Sequence, residues 1–155
     1  MSVVSPLYGS SGQTITCTFT SLGGSSQRCS LAVASASGSS LEVFVGVEAT
    51  TGPGGAGSVN VYGYGTANGG TNYTDGVPGT DSAVVLTSPP NVRIIGTINC
   101  PSSGSSYIGG PFPLSLAFGG TMPDHWGIVV ENATGTSLAG SSCSAWYQSV
   151  QQQVV

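Results

Sequence analysis

A chain of 155 residues with 5% charged side chains, no lysine, only Arg28 and Arg93 as cations and a net charge of −4 is poorly equipped to hold a polyanion. Nucleic-acid binding relies on Lys and Arg to neutralise phosphates, and attachment to anionic membranes relies on the same groups, so neither partner is expected. The length suits one domain and 39% hydrophobic residues suffice for a core, while Val, Ile, Phe and Tyr recurring among Gly, Ser and Thr favour folded β-structure over disorder.

Residues 1–12 are read as an N-terminal arm. They show no strand alternation, yet hold Val3, Val4, Leu7 and Tyr8 around Pro6. Apolar groups gain little from water, so the arm either lies across a neighbouring subunit or packs on its own domain as an edge strand. The start has no basic residue and no apolar stretch of leader length, and no run approaches the roughly 18 apolar residues of a membrane span, which points to synthesis in a cytoplasm.

One β-domain is expected over residues 13–151, with a short tail at 152–155. Residues 13–20 set Ile15, Cys17 and Phe19 against Thr14, Thr16, Thr18 and Thr20, the period of a half-buried strand. Gly23-Gly24 marks a turn, and residues 27–34 return with Cys29, Leu31 and Val33 inward. A hairpin centred on Gly23 would set Cys17 opposite Cys29, either as a cross-strand disulfide or as neighbouring buried thiols. Residues 41–48 alternate Leu41, Val43, Val45 and Val47 with Glu42, Phe44, Gly46 and Glu48; residues 59–64 set Val59 and Val61 against Tyr62 and Tyr64.

Residues 66–80 are the longest stretch without strand pattern, the kind of loop that often binds. Strands follow at 82–87 and 92–99, separated by Pro89-Pro90, then at 112–118 with Phe112, Leu114, Leu116 and Phe118 on one face. Residues 126–132 group Trp126, Ile128 and Val130, and 144–151 close the series. Eight or nine short strands without helical period predict an all-β fold, an antiparallel β-sandwich of jelly-roll type. Lysine normally guards exposed sheet edges, so a chain without it must cover its edges with its own loops or with partners.

No catalytic, metal or cofactor site is expected. His125 follows Asp124, but neighbours in a strand point to opposite faces and no serine lies in a nucleophile elbow. Asp75 and Asp81 share a loop with oxygen groups that suit calcium, yet lack EF-hand spacing and read as turn residues. Cys17, Cys29, Cys100 and Cys143 form no CxxC pair. The aromatic residues Tyr62, Tyr64, Tyr73, Tyr107, Trp126, Trp146 and Tyr147 can stack on sugars or fill an interface, with Trp126 in an inward alternation. The candidate interface is Val3, Val4, Leu7 and Tyr8 of the arm with Tyr62, Tyr64 and Tyr73.

Three segments carry a family impression: SPLYGSSGQTITCTFTSL, GTMPDHWGIVVENATGTSL and CSAWYQSV. With the Gly/Ser/Thr-rich middle, they resemble small β-sandwich virion structural proteins of tailed bacteriophages, of the head-decoration or cement kind. The resemblance implies a non-enzymatic protein bound to the major capsid protein or another virion protein, homo-oligomeric and often trimeric. It implies a virion location after synthesis in the host cytoplasm. A receptor- or glycan-binding module of a tail or cell surface is the alternative, and a small hydrolase the third.

Overall fold

Period-two alternation puts Val43, Val45, Val47 and Ala49 on one face of a long strand and Val59 and Val61 on one face of another; burying those faces together builds the molecule. The computed structural model describes residues 3–35 and 40–154. Eleven strands run β1 (Val4–Tyr8), β2 (Gln13–Ile15), β3 (Gln27–Cys29), β4 (Val33–Ala34), β5 (Ser40–Thr50), β6 (Gly57–Thr66), β7 (Ser82–Val84), β8 (Arg93–Cys100), β9 (Ser106–Pro113), β10 (His125–Ala133) and β11 (Ser144–Val154).

β1 and β2 lie end to end along β11, and β3 and β4 along β10, so each pair is one interrupted strand. The first sheet is then ordered β1/β2, β11, β5, β9 and the second β7, β3/β4, β10, β6, β8, all antiparallel. With β7 set aside as an added edge, four strand positions remain in each sheet, and the chain passes repeatedly from one sheet to the other. That is a jelly roll. Between the sheets lie Ile15, Phe19, Val43, Val45, Val47, Val59, Val61, Leu114, Trp126 and Ile128, each at 2% exposure or less. Full burial of such side chains contributes about 1.5–3 kcal/mol apiece before ordering costs.

The structure corrects two expected elements. The step from β2 to β3 crosses between sheets, so the Cys17–Cys29 hairpin does not form. Cys17 lies in the main core and Cys29 on the outer side of the second sheet. Leu31 N–H does donate to Thr16 O at 2.7 Å, but no ladder follows. The turn at residues 21–26 is held elsewhere instead: Ser21 N–H donates to Ala139 O at 2.9 Å and Ser25 N–H to Asn132 O at 2.7 Å. All four cysteines are free thiols.

The strand expected at 112–118 ends at Pro113. Residues Leu114–Phe118 form a 3₁₀ turn that buries Leu114 and leaves Leu116 58% exposed. Glu42 directs this change, because its carboxylate takes the Ser115 N–H at 2.9 Å and the Ser115 hydroxyl at 2.5 Å, ending the ladder to β5. The true strand, β9, holds Pro111 and Pro113, which an edge strand tolerates.

Candidate functional site

The two outer sheet faces differ, and the difference decides where a partner can reach. On the second sheet, Cys29, Tyr64, Val77, Leu86, Val92 and Val129 make a second apolar cluster, roofed by residues 67–81 and 85–92. Tyr64 is fully buried there and donates its hydroxyl to Ser30 O at 2.7 Å. Tyr73 stands edge-on to it, with ring centroids 5.3 Å apart. Burial pushes the Tyr64 phenol well above its usual range.

Carboxylates pin that roof. Asp75 accepts from Thr87 Oγ1 at 3.0 Å, from the Asn91 and Val92 amides at 2.7 and 3.2 Å, and from the Asn91 side chain. Asp81 accepts from Thr18 N–H at 3.0 Å, Thr18 Oγ1 at 2.6 Å and Arg28 Nε at 2.7 Å. Asp124 accepts from Gly69 N–H at 2.8 Å, tying the long loop to the start of β10. Beyond the roof, Glu131 accepts from Gln27 Nε2, Asn60 Nδ2 and Tyr62 Oη at 2.9, 2.9 and 2.8 Å. Partial burial alone would raise Asp75, Asp81 and Glu131, but these donors outweigh it and hold the three carboxyls below their ordinary range. Burial and the Glu131 contact push Tyr62 up to about 12.

Glu42 and Glu48 are likewise bonded, the latter to Ser106 Oγ at 2.6 Å, so all six carboxylates serve as acceptors within the fold. Among the described residues, no three His, Cys, Asp or Glu side chains gather to hold a metal ion. His125 Nδ1 is buried without a hydrogen bond, 3.6 Å from Asp124, and no hydroxyl or thiol among the described residues bonds to that ring.

No described residue roofs the first sheet's outer face around Trp146. Trp146 of β11 is half-buried and lies across Gly46 of β5, its cross-strand partner. A Cβ at Gly46 would sit 2.4 Å from the indole Cε2 and Nε1. Beside the ring runs a groove of about 290 Å³ lined by Ser11, Phe44, Gly109, Gly110, Pro111 and Gln148 together with Trp146 and Gly46. An adjoining hollow on the other side of Trp146 is lined by Gly12, Thr14 and Ser144.

At one edge of this sheet, β1 pairs with residues Val150 to Val154 of β11, and no other described strand pairs with it. Val3, Val4, Leu7 and Tyr8 are 60%, 58%, 44% and 59% exposed.

The structure thus divides the seven interface residues read from sequence. Val4, Leu7 and Tyr8 lie on an exposed edge strand, and Val3 immediately precedes it. Tyr62 and Tyr73 are half-buried on the opposite sheet, and Tyr64 has no surface to offer a partner. Sequence reasoning passed over Phe44 and Gln148, and the available signal was Gly46 within an otherwise large-residue strand, which marks a close approach.

No protein-family model matches the chain. No curated protein matches it either. Among solved structures the chain is similar to one in the structure of infectious bursal disease virus, Gx strain, at 12% identity and a TM-score of 0.42. The likeness covers 97% of this chain and 32% of the other, so this chain spans about a third of that neighbour's length.

Proposed function

We propose that this chain is a non-enzymatic structural protein of a virion, a jelly roll that decorates or cements a bacteriophage capsid in several copies. It would be made in the host cytoplasm and bind the major capsid protein or another virion protein, and its own copies, through apolar and backbone contacts.

The observation that carries the reading is β1: an edge strand with exposed Val4, Leu7 and Tyr8, preceded by exposed Val3, and with Pro6 but no charged residue to guard it. Such an edge pairs readily with another chain unless something covers it, and here Pro6 blunts one position while the apolar side chains around it stay open to a partner. The resemblance to phage decoration proteins supports the same reading. Arg93 is the exposed cation that remains once Arg28 is bound to Asp81, so attachment should change little with salt.

The test adds the missing guards. Val4→Lys, Leu7→Lys and Tyr8→Lys together should leave melting nearly unchanged while self-association in sedimentation and binding to particles are lost. Cryo-electron microscopy of the native particle should place the chain at lattice positions. Density at the tail tip would favour the receptor-binding reading, and a wild-type chain that stays monomeric and is absent from particles would sink the proposal.

A further inference from the structure

We propose that the groove beside Trp146 is a binding site for a neutral pyranose sugar. It lies on the open face of the first sheet, apart from the β1 edge that carries the assembly reading, and either proposal can fail without the other.

Three features define the ligand. The first is the platform. Trp146 rests against Gly46 and lines the groove with part of its ring exposed, and Phe44, across the ladder from Gln148, adds a second ring to the lining. A pyranose has a complementary face of C–H bonds, and an amphipathic Trp suits a partner that is apolar on one side and wet on the other.

The second feature is the polar rim. Gln148 donates its amide nitrogen to Gly9 O at 3.0 Å, which fixes the amide and leaves its oxygen free to accept from a hydroxyl. Ser11 contributes a hydroxyl to the same groove. The indole N–H has no hydrogen-bond partner among the described residues and can donate. Groups at the edge of a stacked ring are what distinguish hydroxyls from plain hydrocarbon.

The third feature is what the groove excludes. Its lining contains no charged residue, so it offers nothing to a phosphate, a sulfate or an acidic sugar. Its floor is Gly46, opposite Trp146 of β11, and Gly109, opposite Val47 of β5, so the ladder directly beneath it is already paired. At about 290 Å³ it matches the lower end of small-ligand pockets, roughly 300 Å³, rather than a docking surface for a protein.

The two tryptophans make the test direct. Each gives one indole N–H signal to follow by NMR, and Trp126, at 1% exposure, serves as the internal control. Cellotetraose, maltotetraose, chitotetraose and mannotetraose are titrated separately to about 10 mM, a range that covers weak single-ring binding. At least one should move the Trp146 signal saturably, leave Trp126 in place and give the same Kd in low and high salt. Trp146→Ala should abolish binding, read from the shifts of the Gly109 and Gly110 amides. Gln148→Leu, which keeps the ring, should weaken it about tenfold and serves as the test if Trp146→Ala does not fold. No saturable shift with any of the four sugars would overturn the proposal, and so would equal shifts from cyclohexanol, which would reveal an apolar hollow without recognition of hydroxyls.

Discussion

Tyr64 and Trp146 occupy equivalent situations on the two sheets. Each ring lies against a glycine on the neighbouring strand, Gly127 for Tyr64 and Gly46 for Trp146, and in both cases a Cβ on that glycine would fall 2.4 Å from ring atoms. Only Tyr64 is roofed: its ring is fully buried and its hydroxyl bonded, while Trp146 stays half-buried beside an open groove. The same local device therefore serves stability on one sheet and leaves a reachable aromatic surface on the other. Exposure, set by the loops between β6 and β8, decides which.

Removing each ring is the strongest way to break this contrast. Tyr64→Ala should destabilise the fold by about 3–5 kcal/mol, since it opens a cavity under the roof and leaves the Ser30 carbonyl unpaired. Trp146→Ala, measured in the same urea series, should lose clearly less. Equal losses would show that the first sheet's face is a stability element and not a free surface.

Next in size is Gly127→Ala. The new methyl meets a ring that cannot swing away, because Tyr73 stands against it and Ser30 holds its hydroxyl. Overpacking of this kind costs about 1–3 kcal/mol. A melting temperature equal to wild type would mean that the roof yields easily.

Acid should loosen the second sheet's outer side through its bonded carboxylates, two at the roof and Glu131 beyond it. Asp75, Asp81 and Glu131 are held below the ordinary carboxylate range in the folded chain, so they bind protons more weakly there than when unfolded. Their contribution is complete above the ordinary carboxylate value near pH 4 and is lost as pH falls through the lower folded values. Urea unfolding at pH 3 should show about 1–2 kcal/mol less stability than at pH 7, a figure that allows for solvent screening. Asp81→Asn should flatten part of that slope, and a slope unchanged by the substitution would remove Asp81 from the account.

The sandwich was legible where large apolar residues alternate along a strand face that packs in the main core. Residues 41–48 and 59–64 showed their alternation because one side packs in the main core. β1 escaped because both its faces are exposed, so no alternation marks it. β9 escaped because Gly109, Gly110, Pro111 and Pro113 read as turn residues, whereas an edge strand needs donors on one side only. The false hairpin at Cys17 and Cys29 arose from reading local pattern alone, when β11 and β10, more than a hundred residues away, capture the two segments. Of the candidate interface, the apolar arm was visible as composition. The burial of Tyr64 depends on Val77, Leu86 and Val92 folding back over it, which no local pattern encodes.

The smallest expected effect is also the most discriminating. Gly46→Ala places a methyl where the Trp146 indole now rests, as close an approach as Gly127→Ala creates on the other sheet. Here the obstructing group is the end of a side chain at an open face, free to rotate away from the sheet. The substitution also replaces a glycine within a strand, which recovers some backbone entropy on folding. The two terms oppose each other, so the net change should stay within about 1 kcal/mol of wild type. The ring itself should move, and a shifted indole N–H signal for Trp146 with an unchanged one for Trp126 would record it. If Gly46→Ala instead costs as much as Gly127→Ala, Trp146 is locked to its sheet as firmly as Tyr64 is. The two faces would then differ in solvent contact alone, and the groove could not adapt to a ligand by moving its ring.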